Sequence, residues 1–162
     1  NFGTVRSKGV ELDIKGDAAP ILYLYANATF QDLRDHREHE NGSEAANPTY
    51  NKRMPNIPYI LTNGGLEFHK ANLFGGENQN SRFLVDASYI HEYFYDFEMS
   101  KYQDRKIPSS FTIDAGLEHS FKDDSFILSF KVKNLTDKIV YSELNRPLPG
   151  RNFSFKIRYV MK

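Results

Sequence analysis

The chain has 162 residues, and its 21 basic and 21 acidic side chains cancel, so no global field marks nucleic acid or an acidic surface as a partner. Cysteine is absent, which excludes disulfides, thiolate nucleophiles and sulfur-ligated zinc or iron–sulfur centres. Aromatic residues reach 14%, all Phe and Tyr, within a polar average; no apolar run approaches the ~18 residues of a spanning helix, so membrane residence would have to be by strands.

Seven stretches alternate apolar and polar residues with the period of a strand. The first covers Thr4 to Gly16, with Val10, Leu12 and Ile14 opposite Glu11, Asp13 and Lys15, and a tight turn follows at Asp17 to Pro20. The second runs from Ile21 to about Gln31, with Leu22, Leu24, Ala26, Ala28 and Phe30 on one face and Tyr23, Tyr25, Asn27 and Thr29 on the other. The polar segment from Asp32 to about Asn56 is too long for a hairpin turn. The third stretch spans Pro58 to Lys70, where Gly64 and Gly65 predict a bend or a close approach, and it turns through Asn72 to Asn80. The fourth is predicted from Arg82 to about Asp96, counting Tyr93 and Tyr95 in its alternation. After a polar connection the fifth runs from Phe111 to Phe121, Lys122 to Ser125 turns, and the sixth runs from Phe126 to Lys133. A long connection, Asn134 to Gly150, leads to the last, Phe153 to Val160, where Phe153, Phe155, Ile157 and Tyr159 oppose Ser154, Lys156 and Arg158.

The connections read tight, long, short, long, tight, long, the asymmetry of an outer-membrane barrel with brief turns at one end and extended loops at the other. That predicts an all-β, antiparallel, up-and-down transmembrane β-barrel whose apolar face meets lipid and whose polar face meets a wet lumen. Tyr93, Tyr95 and Phe97 near a long loop, with Phe121 and Tyr159 at the other end, are the expected interfacial aromatics. Because single-chain bacterial barrels close with even strand numbers, seven strands over 1–162 predict one portion of a larger barrel, its partner strands coming from residues outside this sequence or from another chain. A passive porin and a soluble β-sandwich binding module are the alternatives.

Four segments carry a family resemblance: RSKGVELDIKG (Arg6 to Gly16), KRMPNIPY (Lys52 to Tyr59), VKNLTDK (Val132 to Lys138) and RPLPGRNFSFKIRY (Arg146 to Tyr159). In this order they resemble the C-terminal part of a TonB-dependent outer-membrane receptor. The resemblance implies the last seven strands of a barrel of about 22 strands around a plug, with energy-coupled uptake of a metal chelate such as a ferric siderophore, haem or cobalamin. It implies as partners the remainder of the receptor, the TonB–ExbB–ExbD complex acting through the plug, and outer-membrane lipids. It further implies extracellular long loops and a periplasmic C-terminus. The family's terminal aromatic is replaced by Met161, followed by Lys162.

The motifs also have local readings. Pro149 and Gly150 set the entry into the last strand, Arg151 is placed to brace a loop or meet an acidic lumen group such as Glu118, and Asn134 and Asp137 are placed to bond nearby backbone. Glu11 reads as one half of a lumen charge pair. Ligand contacts are expected in the long loops: Arg53, Arg105, Lys106 and Arg146, with Tyr50, Tyr102 and Tyr141, suit an anionic aromatic chelate. His36 and His39 within DHREHE are the candidate metal ligands. No resident cofactor is expected. The carboxylates alternate along strands rather than converging, and no GxSxG, HExxH or glycine-rich phosphate loop occurs, so the chain reads as a non-enzyme.

Overall fold

The computed structural model describes residues 4–161; Lys162, and the portion expected before Asn1, lie outside the described residues. In chain order the strands are β1 (Val5–Ala19), β2 (Leu22–Asp35), β3 (Ile60–Ala71), β4 (Asn80–Ile90), β5 (Tyr93–Phe94), β6 (Lys106–Ile107), β7 (Ser110–Phe121), β8 (Phe126–Lys133), β9 (Tyr141–Glu143), β10 (Arg146–Pro147) and β11 (Asn152–Tyr159). Seven form one antiparallel sheet in the order β1-β2-β3-β4-β7-β8-β11, while β5–β6 and β9–β10 are small ladders in the second and third long connections.

The register keeps one parity across the whole sheet. Leu22, Phe68, Phe83, Leu117, Phe130 and Phe155 are successive pairing partners over six strands. On the opposite parity, further along the strands, Asp13, Asn27, Asn63, Ser88 and Thr112 make the corresponding polar row on the other face. A slip of one residue on any strand would invert its faces, so the apolar pattern holds each pairing in place. The apolar face is bare: Ile14 is 72% exposed, Phe153 64% and Ile157 59%. A sandwich would bury these residues beneath a second sheet. From Leu22 to Phe30, β2 rises about 26 Å at ~3.3 Å per residue, comparable with the ~25 Å apolar band of outer-membrane barrels. The solvent of this face is lipid.

The short connections use left-handed backbone where the turns demand it. Lys122, Asp123 and Asp124 have φ of 51°, 52° and 65° between β7 and β8, and Asn72, Gly75 and Asn78 have positive φ between β3 and β4. Inside the sheet Gly65 permits a close approach. It pairs with Tyr25 on one side and Asp86 on the other. A Cβ there would meet Tyr25 Cε1 at 2.6 Å and the Val85 carbonyl at 2.8 Å. With no Cβ, the Tyr25 ring lies across β3 and its hydroxyl donates to Asp86 Oδ1 at 2.8 Å, crossing a strand.

Three strand ends differ from expectation by three residues or more. β2 continues past Gln31 to Asp35 because Val5 to Lys8 of β1 pair with it on one edge and the first long loop returns along the other: Asp35 N donates to Lys52 O at 3.0 Å and Met54 N to Leu33 O at 2.8 Å. β1 runs on to Ala19, with a register shift between Asp17 and Ala19 just before the turn. β4 ends at Ile90, short of Asp96; beyond it Tyr93 pairs with Ile107 in the loop ladder and is only 6% exposed. Tyr93 is therefore part of a loop core rather than of an aromatic girdle. At the short-turn end Phe121, Phe126 and Tyr159 do gather as expected, each paired to the next. At the other end the outward aromatics are Tyr89 and Phe111, which are register partners, and Phe30.

Adjacent residues of β2 test the two solvents. We expect Ala26→Arg, on the apolar face, to cost about 2–4 kcal/mol, and Asn27→Arg, whose Asn63 bond is exposed, to cost less than ~1 kcal/mol. Urea unfolding of the protein in lipid vesicles measures both; equal costs would overturn the assignment of lipid to the apolar face.

Candidate functional site

The three long connections rise from one end of the sheet, and their own polar groups build them. The first is organised around Asp35, which is fully buried at the end of β2. Its carboxylate accepts from Arg37 Nε at 2.9 Å and Nη2 at 2.5 Å, from the Arg37 amide at 3.1 Å, from Asn47 Nδ2 at 3.1 Å and from Thr49 Oγ1 at 2.7 Å. Asn47 also donates to Arg37 O, and the Thr49 amide donates to Asn47 Oδ1 at 3.0 Å. Asp35 stands beyond Phe30, the last outward apolar residue of β2, and so outside the membrane band. The Arg37 hydrogen bonds hold its carboxyl well below the usual carboxylate range; burial opposes this, and the Thr49 and Asn47 bonds reinforce it. One buried anion therefore orders the start and the middle of this loop.

Backbone and side-chain bonds join the loops into one cap. Asn56, at φ 58°, donates its amide to Phe94 O at 2.7 Å and its side chain to Tyr95 O at 3.2 Å, tying the first loop to the second. Tyr93 donates its hydroxyl to Ser142 O at 3.0 Å, tying the second to the third. Ile107 and Val140, at 1% and 7% exposure, are the apolar anchors of the second and third loops. The third loop is closed by its two motifs. Asn134 accepts from Lys138 N and donates to Lys138 O, and Asp137 Oδ1 accepts from Arg151 N at 2.8 Å. The predicted local bonding of Asn134 is present, whereas the carboxylate of Asp137 reaches the start of the last strand. Arg151 is thus tied by its backbone to Asp137; Glu118 takes its hydrogen bond from Ser129. Glu11 has no ion-pair partner among the described residues; the pair on that strand is Lys15 with Asp13, 3.7 Å apart.

Beneath this cap, on the polar face, lies a recess of about 420 Å³. Ser88, Thr112 and Asp114 line its wall side and Val140, Leu148 and Pro149 its loop side. Lower on the same face Lys131 stands 3.7 Å from Asp86, which also holds Tyr25. The wall is thus mostly polar and internally bonded, with apolar side chains contributed by Ile90 at the end of β4 and by the loops above. This suits a ligand carrying both polar and apolar groups.

The structure disperses the residues expected to bind ligand, and none of the seven lines the recess. Each of the four cations already holds a carboxylate: Arg53 with Asp32 at 3.0 Å, Arg105 with Asp96 at 2.8 Å, Lys106 with Glu92 at 2.6 Å and Arg146 with Glu143 at 2.9 Å. The Lys106 bond holds the Glu92 carboxyl below its usual range and raises the Lys106 ammonium. Arg53 also lies 4.0 Å over the Tyr59 ring. Tyr102 is 78% exposed with Lys101 beside its ring, Tyr50 presents its ring edge-on to His36, and Tyr141 lies in the β9–β10 ladder. His39 is exposed and bridges to Ala46. No group of three or more His, Asp or Glu side chains among the described residues is arranged to hold a metal ion. Ser88, Thr112 and Asp114 escaped sequence reasoning because they alternate like any inward strand residue. The only available signal was their nearness to strand ends beside long loops.

A family model described as TonB dependent receptor-like, beta-barrel, matches residues 1–135. Among solved structures the chain is similar to the siderophore receptor PiuA from Acinetobacter baumannii, with 14% identity and a TM-score of 0.71 over 96% of this chain. It is similar also to BauA, the ferric preacinetobactin receptor of the same organism, with 16% identity and a TM-score of 0.70 over 96% of the chain. The ferric yersiniabactin uptake receptor FyuA from Yersinia pestis matches with 16% identity and a TM-score of 0.64 over 94%. The chain spans 22% of the length of each of these three. No curated protein sequence matches it.

Replacing Asp35 by Ala removes the anion that Arg37, at 18% side-chain exposure, was buried against, at a local cost of about 3–5 kcal/mol. We expect hydrogen exchange to reveal lost protection over residues 36–59 with the sheet unchanged. Because the folded carboxyl titrates below its unfolded value of ~3.9, its contribution is complete above that pH and disappears as pH falls through the lower folded value. Loop protection in the unsubstituted protein should therefore persist at pH 5 and decline only below about pH 4; decline between pH 6 and 5 would contradict the Asp35 assignment.

Proposed function

The chain belongs to the TonB-dependent receptor-like β-barrel family, and from that premise we propose that it is one wall of an outer-membrane receptor that takes up a ferric siderophore by energy-coupled transport. The observation that carries this reading is a polar, internally bonded lumen wall beneath a stitched loop cap, in a fold shared with three siderophore receptors. The long-loop end faces outside and the end of β11 faces the periplasm. The exposed aromatics Tyr50 and Tyr102 make first contact with the chelate, whose organic shell offers planar and apolar surface. It then passes into the recess, where Ser88, Thr112 and Asp114 present hydrogen-bonding groups and Val140 and Leu148 apolar ones. The iron is cargo throughout, and no side chain of this wall need replace a chelator oxygen. A plug outside this chain, drawn by the TonB–ExbB–ExbD complex, opens the path.

Uptake of iron-55 bound to a panel of siderophores by cells producing the whole receptor tests this. The double substitution Tyr50→Ala, Tyr102→Ala should lower initial uptake about threefold to tenfold, since an aromatic contact is worth ~1 kcal/mol, with the amount of receptor in the membrane unchanged. A protonophore should abolish uptake in both proteins. Uptake that survives the protonophore would identify a passive channel, and transport of haem or cobalamin in place of the siderophores would replace the substrate class.

A further inference from the structure

Just beyond the apolar band, at the long-loop end, three arginines stand side by side. Arg6 on β1 is the register partner of Arg34 on β2, and Arg34 is bridged to Arg53 of the returning loop. One outward row nearer the membrane, Lys8 is paired with Asp32. The β1–β2 ladder runs without a shift from Val5 to Asp17. Arg6, Lys8, Asp32 and Arg34 therefore share the face of Val10, Leu12 and Phe30. Lys8 and Arg6 lie about 7 and 14 Å along the strand from Val10, where the hydrocarbon gives way to headgroups.

One carboxylate stands among these four cations, and two of them hold it. Asp32 accepts from Arg34 Nε at 2.7 Å and from Arg53 Nε at 3.0 Å. Arg6 and Lys8 are exposed and have no hydrogen-bond or ion-pair partner among the described residues. Like charges directly opposite each other on a sheet are destabilising, and Arg6 facing Arg34 is such a pair. An anion seated between them would turn that repulsion into attraction, and guanidinium groups in a row offer the paired N–H donors that phosphate oxygens accept. The aliphatic stems lie over the apolar band while the charged heads reach the headgroup layer.

We propose that Arg6, Lys8, Arg34 and Arg53 form an outward-facing site for the phosphate of a lipid headgroup in the leaflet at the long-loop end. The site lies on the face opposite the recess and needs no transported substrate. Its occupant is a membrane lipid whose acyl chains lie along Val10, Leu12 and Phe30.

The test uses the whole receptor reconstituted in phosphatidylcholine vesicles with and without one-fifth phosphatidylglycerol, reading the thermal unfolding midpoint. Phosphatidylglycerol should raise the midpoint by mass action. The double variant Arg6→Gln, Lys8→Gln, which removes no bond seen in the sheet, should lose at least half of that rise while keeping its midpoint in pure phosphatidylcholine. Lys156→Gln with Arg158→Gln, two cations on the inward face of β11, should keep the whole rise. An equal rise in all three proteins, or an equal loss in both variants, would overturn the site. A matching rise from millimolar inorganic phosphate in pure phosphatidylcholine would also overturn it, by showing that a free anion suffices.

Discussion

Backbone hydrogen bonding in a medium without water is the constraint on which this structure rests. A lipid-facing strand has nowhere to place its N–H and C=O groups except on its neighbours. The antiparallel ladder accordingly runs through all seven wall strands, β1-β2-β3-β4-β7-β8-β11, and its register shift lies beside the first turn. In a soluble domain the same strands would be held by a core; here Ile127 and Val132 are the only buried apolar side chains of the sheet among the described residues, and large apolar side chains stand bare along one face. Register takes the place of packing, since a single slip would put Asp13 and Glu67 into lipid and Leu12 and Leu66 into water.

The second constraint is that long loops over an open lumen must supply their own order. They do so with a buried carboxylate at Asp35, with apolar anchors at Tyr93, Ile107 and Val140, and with reciprocal bonds between one loop and the next. The most buried side chains among the described residues, Asp35 and Ile107, both belong to this cap or its root. No buried side-chain donor or acceptor among the described residues is left without a partner. A cap built this way presents its exposed aromatics from a supported position and limits the ordering cost of capturing a ligand.

Charge is distributed by face as well as by number. On the lumen side acidic and basic groups meet each other or a hydroxyl, as with Asp86 and Lys131 or Glu118 and Ser129. At the outer rim the balance fails locally, with Arg6 opposite Arg34 around the lone Asp32. A neutral total therefore conceals one polar, self-compensated surface and one rim biased toward anions. Net charge alone had nothing to say about the membrane.

The seven wall strands, their faces and the alternation of short and long connections were legible in the sequence. Period-two patterning is a local property, and lipid on one side with water on the other enforces it at every residue pair. The end of β2 was not legible, because Leu33 to Asp35 are strand through pairing with Val5 to Ser7 of β1 on one edge and through backbone brought back by Lys52 and Met54 on the other. The end of β4 was misread because Tyr93 continues the alternation in sequence while pairing with Ile107 in space. The site followed the same division. Sequence singled out Arg53, Arg105, Lys106 and Arg146 by type, and only the fold revealed that Asp32, Asp96, Glu92 and Glu143 already occupy them. The recess by Ser88, Thr112 and Asp114, and the three-arginine row, are juxtapositions of residues from separate segments. What sequence alone determined is which side of each strand faces which solvent; which side chains meet across strands and loops was decided by register and by loop return, and these are set by long-range hydrogen bonds that no local pattern encodes.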